Sequence, residues 1–372
     1  MNLSAPPPHG PDTSGRGHRS GLSRRTVLVA AGASVVAAAA GASVVVAGQS
    51  NTGGTGSVPD SPTPHMRPLP NSGGQVPLIG LGTFMTFDRR PGTDQSFIPT
   101  VLREFFDGGG RVVDTSALYG ASEANVGHFA RELGITDDIF LTDKSWNCGE
   151  YLFDDTHALR QFAASQQRLH RRQLDVIGIH SMTNVGMVLP VLNRLKTEGQ
   201  IRYVGLTSHE PYQYGGMVRL IETRAIDFIQ IRYSMFERTP EERLLGLAAD
   251  HGVAVMVNMA MEKGRLHQVV GDRPVPDFAR EQGCETWAQF FLSYVAAHPA
   301  VTCVIPATTN PEHVRENLRT MYRPLPDDDQ RARMVSYLEE IPEFARIAAV
   351  PWYPGTSFPD GLVRLPQPHP VG

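Results

Sequence analysis

From about residue 76 the sequence alternates short apolar runs with longer stretches of helical spacing, and this alternation restricts the fold more than any other feature. The runs are Leu78–Leu81, Val112–Asp114, Ile139–Thr142, Val176–His180, Tyr203–Leu206, Phe228–Ile231, Val253–Val257 and Cys303–Pro306. Between them lie stretches such as Ser122–Leu133, Asp155–Leu169, Val188–Thr197, Glu241–Asp250 and Trp287–Ala297. Short runs rich in Val and Ile, separated by helices, call for a parallel sheet covered on both faces. Eight such strands suit an α/β fold closed as a (β/α)8 TIM barrel of about 250 residues. A chain of 372 residues then has room for a leader and a tail. The alternative is a doubly wound open sheet, whose dinucleotide-binding form carries G-x-G-x-x-G after its first strand. Here Gly80-Leu81-Gly82-Thr83-Phe84-Met85 lacks the third glycine. The barrel is assigned to residues 71–345, with a last helix over 324–345 and an extended, proline-containing tail over 346–372.

The N-terminus reads as an address rather than part of the fold. Residues 1–22 are rich in Pro, Gly, Ser and His, a composition that favours disorder. Ser23-Arg24-Arg25-Thr26-Val27-Leu28 follows, then an uncharged run through Ala47. Twin arginines ahead of a mildly apolar Ala/Gly-rich run resemble a bacterial twin-arginine (Tat) export signal over residues 1–47. The basic residue that often follows is replaced by Val29. Small residues at Val45-Val46-Ala47 offer a cleavage site, and an uncleaved leader would anchor the protein in the membrane. The expected location is extracytoplasmic, reached through the Tat machinery, which carries folded proteins. Residues 48–70 read as a flexible linker.

The formal net charge of −4 leaves no basic footprint for nucleic acid. Cys148, Cys284 and Cys303 are an odd number without zinc spacing, and read as isolated thiols.

Reactive groups of a parallel barrel sit at the C-terminal ends of its strands. The second run leads into Asp114-Thr115-Ser116-Ala117-Leu118-Tyr119-Gly120, the third into Thr142-Asp143-Lys144-Ser145-Trp146, the fourth into Ile179-His180-Ser181. Three consecutive strands thus deliver an acid, a phenol, an amine and an imidazole to one rim. A structural ion pair between Asp114 and Lys144, and a satisfied strand-end His180, are the bland readings of each part taken singly. A metal-dependent hydrolase barrel usually has His-x-His at a strand end; the chain contains none, and no metal is expected.

The segment Gly110–Glu123, with its Asp114-Thr115 and Tyr119-Gly120-Ala121-Ser122-Glu123, resembles the aldo-keto reductase signature. The resemblance continues through Lys144, His180, Lys196–Thr207, Ile305-Pro306-Ala307-Thr308 and Glu316-Asn317, roughly residues 76–322. It implies a reductase of aldehydes, ketones or sugars, or the reverse alcohol dehydrogenase, with Asp114, Tyr119, Lys144 and His180 as catalytic groups. The chemistry is consistent. A carbonyl taking up hydride needs a proton on its oxygen, and a free phenol, with a pKa near 10, gives one reluctantly. An ammonium at Lys144 would lower that pKa; Asp114 would keep the buried lysine charged. His180 would orient the carbonyl oxygen and share in proton transfer.

The resemblance also implies NADP, with NAD as the competitor, lying across the barrel mouth. Gly82 and Thr83 would contact the cofactor, Thr207, Ser208 and Gln230 would meet its nicotinamide, Gly264 and Leu266 the pyrophosphate, and Thr308, His313, Arg315, Glu316 and Asn317 the adenosine phosphate end. A helix starting near Pro311, capped by Asn310, would turn its N-terminus toward an anion. Asn258 stands where relatives place an aromatic residue that stacks on the nicotinamide. Trp146, Cys148, His209, Tyr233 and Phe236 are expected around the substrate. The competing class is a regulatory barrel that binds nucleotide with little turnover, which has no need of Tyr119 beside Lys144.

Overall fold

The computed structural model describes residues 63–147 and 153–364. The chain divides into two units, Met1–Ser57 and Val58–Gly372, and everything described lies in the second. The export leader (1–47), most of the linker, Cys148 and the end of the tail fall outside the described residues.

A hairpin opens the described chain: β1 (Met66–Pro68) pairs antiparallel with β2 (Gln75–Pro77). The linker expected through residue 70 therefore ends too late. The His65 amide donates to the Met321 carbonyl, the Leu78 amide to that of His65, and Val76 is buried among the barrel's interior side chains. Apolar burial at one position holds a Pro- and Gly-rich segment that local composition would leave loose.

Eight parallel strands follow: β3 (Leu81–Gly82), β4 (Val112–Asp114), β5 (Phe140–Ser145), β6 (Leu174–Ile179), β7 (Ile201–Ser208), β8 (Phe228–Arg232), β9 (Ala254–Asn258) and β10 (Val301–Val304). Each pairs in parallel with the next, from β3 to β10. Parallel bridges Ile79–Val304 and Gly82–Ala307, with the Gly80 amide on the Val304 carbonyl at 2.8 Å, join the first strand to the last. The sheet is the expected (β/α)8 barrel.

Side chains alternate across each strand with period two. Val112, Val176, Tyr203, Phe228, Ala254, Met256, Cys303 and Ile305 fill the interior, while Val113, Leu141, Ile177, Val204, Ile229 and Val255 pack outward under the helices. At Gly178 a Cβ would lie 2.7 Å from the Thr207 methyl, so only glycine lets β6 and β7 approach there. Two expected helices are cut differently. The stretch Glu241–Asp250 is split at Arg243 (φ −150°), giving helices Thr239–Glu242 and Leu244–Asp250. The last helix runs only Asp328–Glu339, closed at its start by an Asp327/Gln330 capping box, and Pro342 lies beyond its end.

Candidate active site

The interior rows continue upward into polar ones. Asp114, Thr142, Lys144 and Gln230 are all nearly inaccessible. Asp114 Oδ1 accepts from Lys144 Nζ (2.7 Å), Thr142 Oγ1 (2.7 Å) and Gln230 Nε2 (2.8 Å); Lys144 Nζ also donates to the Thr115 carbonyl at 2.7 Å. Register explains the meeting. Asp114 pairs with Thr142, and Lys144 stands two residues further along β5, on the same inward face. Burial favours a neutral amine, but the Asp114 carboxylate and the Tyr119 phenol outweigh it, and the Lys144 pKa lies above that of a free lysine.

Tyr119 lies above the pair, its ring centroid 4.8 Å from Lys144 Nζ. The turn that holds it depends on Gly120, whose φ of +60° favours glycine, and on the wholly buried Asp88. Asp88 Oδ1 accepts from the Ala121 amide (2.8 Å), and a Cβ on Gly120 would collide with that oxygen. This is a physical reason for the glycine after the tyrosine, and Asp88 is a positioning residue that motif reading did not single out.

Desolvation pushes the Tyr119 hydroxyl up to about 12, against the pull of Lys144. The sequence-based expectation of a net acidified tyrosine is thus corrected: Lys144 acts in the expected direction, but burial wins. His180 faces Tyr119 edge-on at 5.9 Å. Burial first, then the Lys144 charge, drive its pKa down to about 3, so the imidazole is neutral and presents an N–H, not an imidazolium proton, to a carbonyl oxygen.

The other expected residues divide into those at the mouth and those committed elsewhere. Thr207 Oγ1 accepts from the Ser181 amide, and Ser208 Oγ bonds Gln213; both are buried. Thr83 is wholly buried, its hydroxyl on the Asp114 carbonyl (2.8 Å), so it clamps β3 to β4 instead of facing a ligand. Gly82 is needed where β3 meets β10, since a Cβ there would lie 2.9 Å from the Ile305 carbonyl. The Leu266 side chain belongs to the core. Tyr233 is corrected outright: it is wholly buried, its hydroxyl engaged by Glu241 and Arg331, because the chain turns outward after Arg232. Phe236 packs edge-on against Phe344. Trp146 is half-buried, with its amide on Gln161 Oε1.

The dinucleotide end offers matching groups. Helix Pro311–Arg319 is capped by Asn310, which accepts from the Glu312 amide at 2.9 Å. Asn258 Oδ1 and Asn317 Oδ1 are buried without a hydrogen-bond partner, as ligand-facing amides would be. His313 Nδ1 lies 3.3 Å from Thr308 Oγ1. Arg315 is paired with Glu104 (2.8 Å) and Glu312 (3.7 Å), so a 2′-phosphate would have to compete for it.

The family profile described as "Aldo/keto reductase family" matches residues 78–336. The chain belongs to the aldo/keto reductase family. Among its relatives, the NADH-specific methylglyoxal reductase of Escherichia coli is 28% identical over 206 residues, 45% of this chain and 60% of that protein. An aldo-keto reductase of Mycolicibacterium smegmatis is 27% identical over 252 residues, covering 66% of this chain and 84% of that one. In fold, the chain is similar to the holo form of an aldo-keto reductase from Bacillus halodurans (TM-score 0.61, 24% identity, 74% of this chain and 96% of that one). It is likewise similar to a Klebsiella pneumoniae aldo-keto reductase in complex with NADPH (TM-score 0.61, 22% identity, 80% and 99%).

One element of this aldo/keto reductase was not foreseen. The described part of the tail, residues 346–364, expected to be merely extended, lies against the mouth. Trp352 meets His209 edge-on at 5.8 Å, the Tyr353 amide donates to the Lys263 carbonyl (2.9 Å), and the Val363 amide to Asp88 Oδ2 (2.7 Å). Asp88 thus ties both the Tyr119 turn and the tail. The aromatic pair Trp352-Tyr353 in a proline-rich stretch was the only available signal.

Proposed function

We propose that this protein is an exported, NADPH-dependent reductase of aldehydes or ketones in which Tyr119 gives the proton. The observation that carries the reading is the desolvated Asp114–Lys144 pair held at 2.7 Å directly below the Tyr119 ring. A nicotinamide dinucleotide, when bound, supplies the hydride. Gln230, Thr207, Ser208 and Asn258 are the groups for its nicotinamide half, the Gly264–Leu266 backbone for its pyrophosphate, and Thr308, His313, Glu316 and Asn317 for its adenosine end. NADPH is the choice because it is the ligand named for the Klebsiella protein; the E. coli relative's name specifies NADH, which makes NAD the competitor.

The residues divide the work. His180, neutral across physiological pH, hydrogen-bonds the carbonyl oxygen and orients it. Tyr119 keeps its proton past neutrality and so presents a hydroxyl, not a phenolate. An alkoxide is a much stronger base than a phenolate, so proton transfer from Tyr119 runs downhill even with the raised pKa. Lys144 stabilises the phenolate left behind, and Asp114 keeps Lys144 charged. General acid catalysis of this kind contributes about 10²–10⁴-fold. Purified protein is expected to consume NADPH with a panel of aldehydes and ketones, and Tyr119→Phe to lose most turnover while keeping cofactor affinity. Wild-type rates in Tyr119→Phe would refute the proton-donor role. NADPH binding without consumption would favour the nucleotide-binding regulatory barrel.

Export through the Tat route is supported by Arg24-Arg25 and the uncharged run to Ala47. Arg24→Lys with Arg25→Lys is expected to trap the precursor inside the cell; undiminished export would remove this part of the reading.

A further inference from the structure

Lys263 follows β9 in a turn whose backbone is left-handed at Met259 (φ 56°), Glu262 (54°), Lys263 (53°) and Gly264 (88°). The turn sends its side chain among three aromatic rings. Lys263 Nζ lies 3.5 Å from the Trp352 centroid, 5.5 Å from that of Phe84 and 5.7 Å from that of Tyr353. Ring faces attract a cation but do not neutralise it. The nearby carboxylates are already taken: Glu262 by Arg232, Arg265 and Ser234, and Glu210 by His209. Among the described residues no carboxylate pairs with Lys263, while the guanidinium groups of Arg232 and Arg265 add further positive charge around it. Burial and these cations lower its pKa to about 8, which leaves it mostly charged at neutral pH.

The cage adjoins the reacting groups. Phe84, one of its walls, lies 4.8 Å from the Tyr119 ring. One aromatic ring therefore separates a solitary, half-buried ammonium from the proton donor.

We propose that Lys263, walled by Phe84, Trp352 and Tyr353, is an anion-receiving subsite of the substrate pocket, selecting carbonyl compounds that carry a carboxylate or phosphate about one ring-length from the carbonyl. The proposal rests on the reductase reading and names its substrate class. It also gives the tail a role, since Trp352 and Tyr353 supply two of the three rings around the ammonium.

The test compares kcat/KM for 4-carboxybenzaldehyde and benzaldehyde with NADPH as reductant. The ratio cancels any loss common to both substrates. The wild type is expected to favour the acid by about tenfold or more, the scale of one charged hydrogen bond. Lys263→Met should bring the ratio close to one, and Lys263→Arg should restore most of it. An unchanged ratio in Lys263→Met overturns the proposal. So does a weakened NADPH dissociation constant with the ratio intact, which would assign the cation to the cofactor's phosphates. If neither aldehyde turns over, the wider panel of aldehydes and ketones decides the reductase reading, and benzoate titrated calorimetrically into both proteins decides the subsite. Binding lost in Lys263→Met supports it, and equal or absent binding overturns it.

Discussion

Replacing Asp114 by Asn removes one charge from a site with almost no water and changes little else. Asp114 and Lys144 are 4% and 3% exposed, and the three hydrogen bonds on Asp114 Oδ1 need only an acceptor, which an Asn carbonyl provides. What disappears is the counter-charge of Lys144. Breaking a buried pair by removing one partner costs about 3–5 kcal/mol, but the lysine limits the loss by giving up its proton, at about 1.4 kcal/mol per pKa unit between its folded pKa and its unfolded value near 10.4. In the wild type the folded pKa of Lys144 is raised. Its contribution is therefore fully present below the unfolded pKa and is lost as pH rises through the folded one. In Asp114→Asn the sign reverses: the folded pKa falls, and stability is lost as pH drops below about 10.4. Urea titrations at pH 7 and pH 10 are expected to show a deficit of about 3 kcal/mol at pH 7 that narrows markedly at pH 10. Turnover at pH 7 is expected to fall by about 10²-fold or more, since Lys144 no longer stabilises the phenolate. A deficit equal at both pH values would refute the claim that Asp114 holds Lys144 charged.

Other substitutions probe separate links. Asp143 is buried on the outer face of β5 near Glu123, and desolvation followed by the Glu123 charge raises its pKa well above the ordinary carboxylate value. Its ionisation therefore opposes folding increasingly as pH rises above about 3.9, and Asp143→Asn is expected to equal or exceed wild-type stability at pH 7 in thermal melts; a large loss would show the charge is needed. Gly120→Ala forces a β-carbon against Asp88 in a left-handed backbone, and crystallography of the variant should show the Tyr119 turn displaced, with kcat reduced; full activity would mean Asp88 does not position it. Because His180 is neutral down to about 3, the pH–rate profile between pH 5 and 8 is expected to lack a histidine limb, and a limb near 6.5 that vanishes in His180→Gln would contradict the structure.

Local pattern was enough to read the strands, because short, nearly continuous apolar runs such as Val112–Asp114 or Phe228–Ile231 are what burial on both faces of a barrel strand imposes. The catalytic residues were legible for a related reason: Asp114, Lys144 and His180 lie at or just beyond strand ends, where a parallel barrel gathers its reactive groups. Residues beyond the strands were less so. Nothing in Tyr233's sequence neighbourhood separates a pocket wall from a core tyrosine; the difference is the carboxylate of Glu241 and the guanidinium of Arg331, brought from eight and 98 residues away. Thr83 and Gly82 were read as ligand contacts, whereas the Thr83 hydroxyl clamps β3 to β4 and Gly82 lets β3 close against β10.

Periodicity and strand ends, both written in the linear order of residues, were sufficient to specify the barrel and the order in which an acid, a phenol, an amine and an imidazole reach its rim. The charge states at that rim, and what covers them, came only with the folded arrangement. Protonation depends on desolvation and on groups distant in the chain, so Tyr119 is raised where a pairwise reading lowers it. The contact of Trp352 with Lys263 joins positions 89 residues apart, which no local pattern encodes.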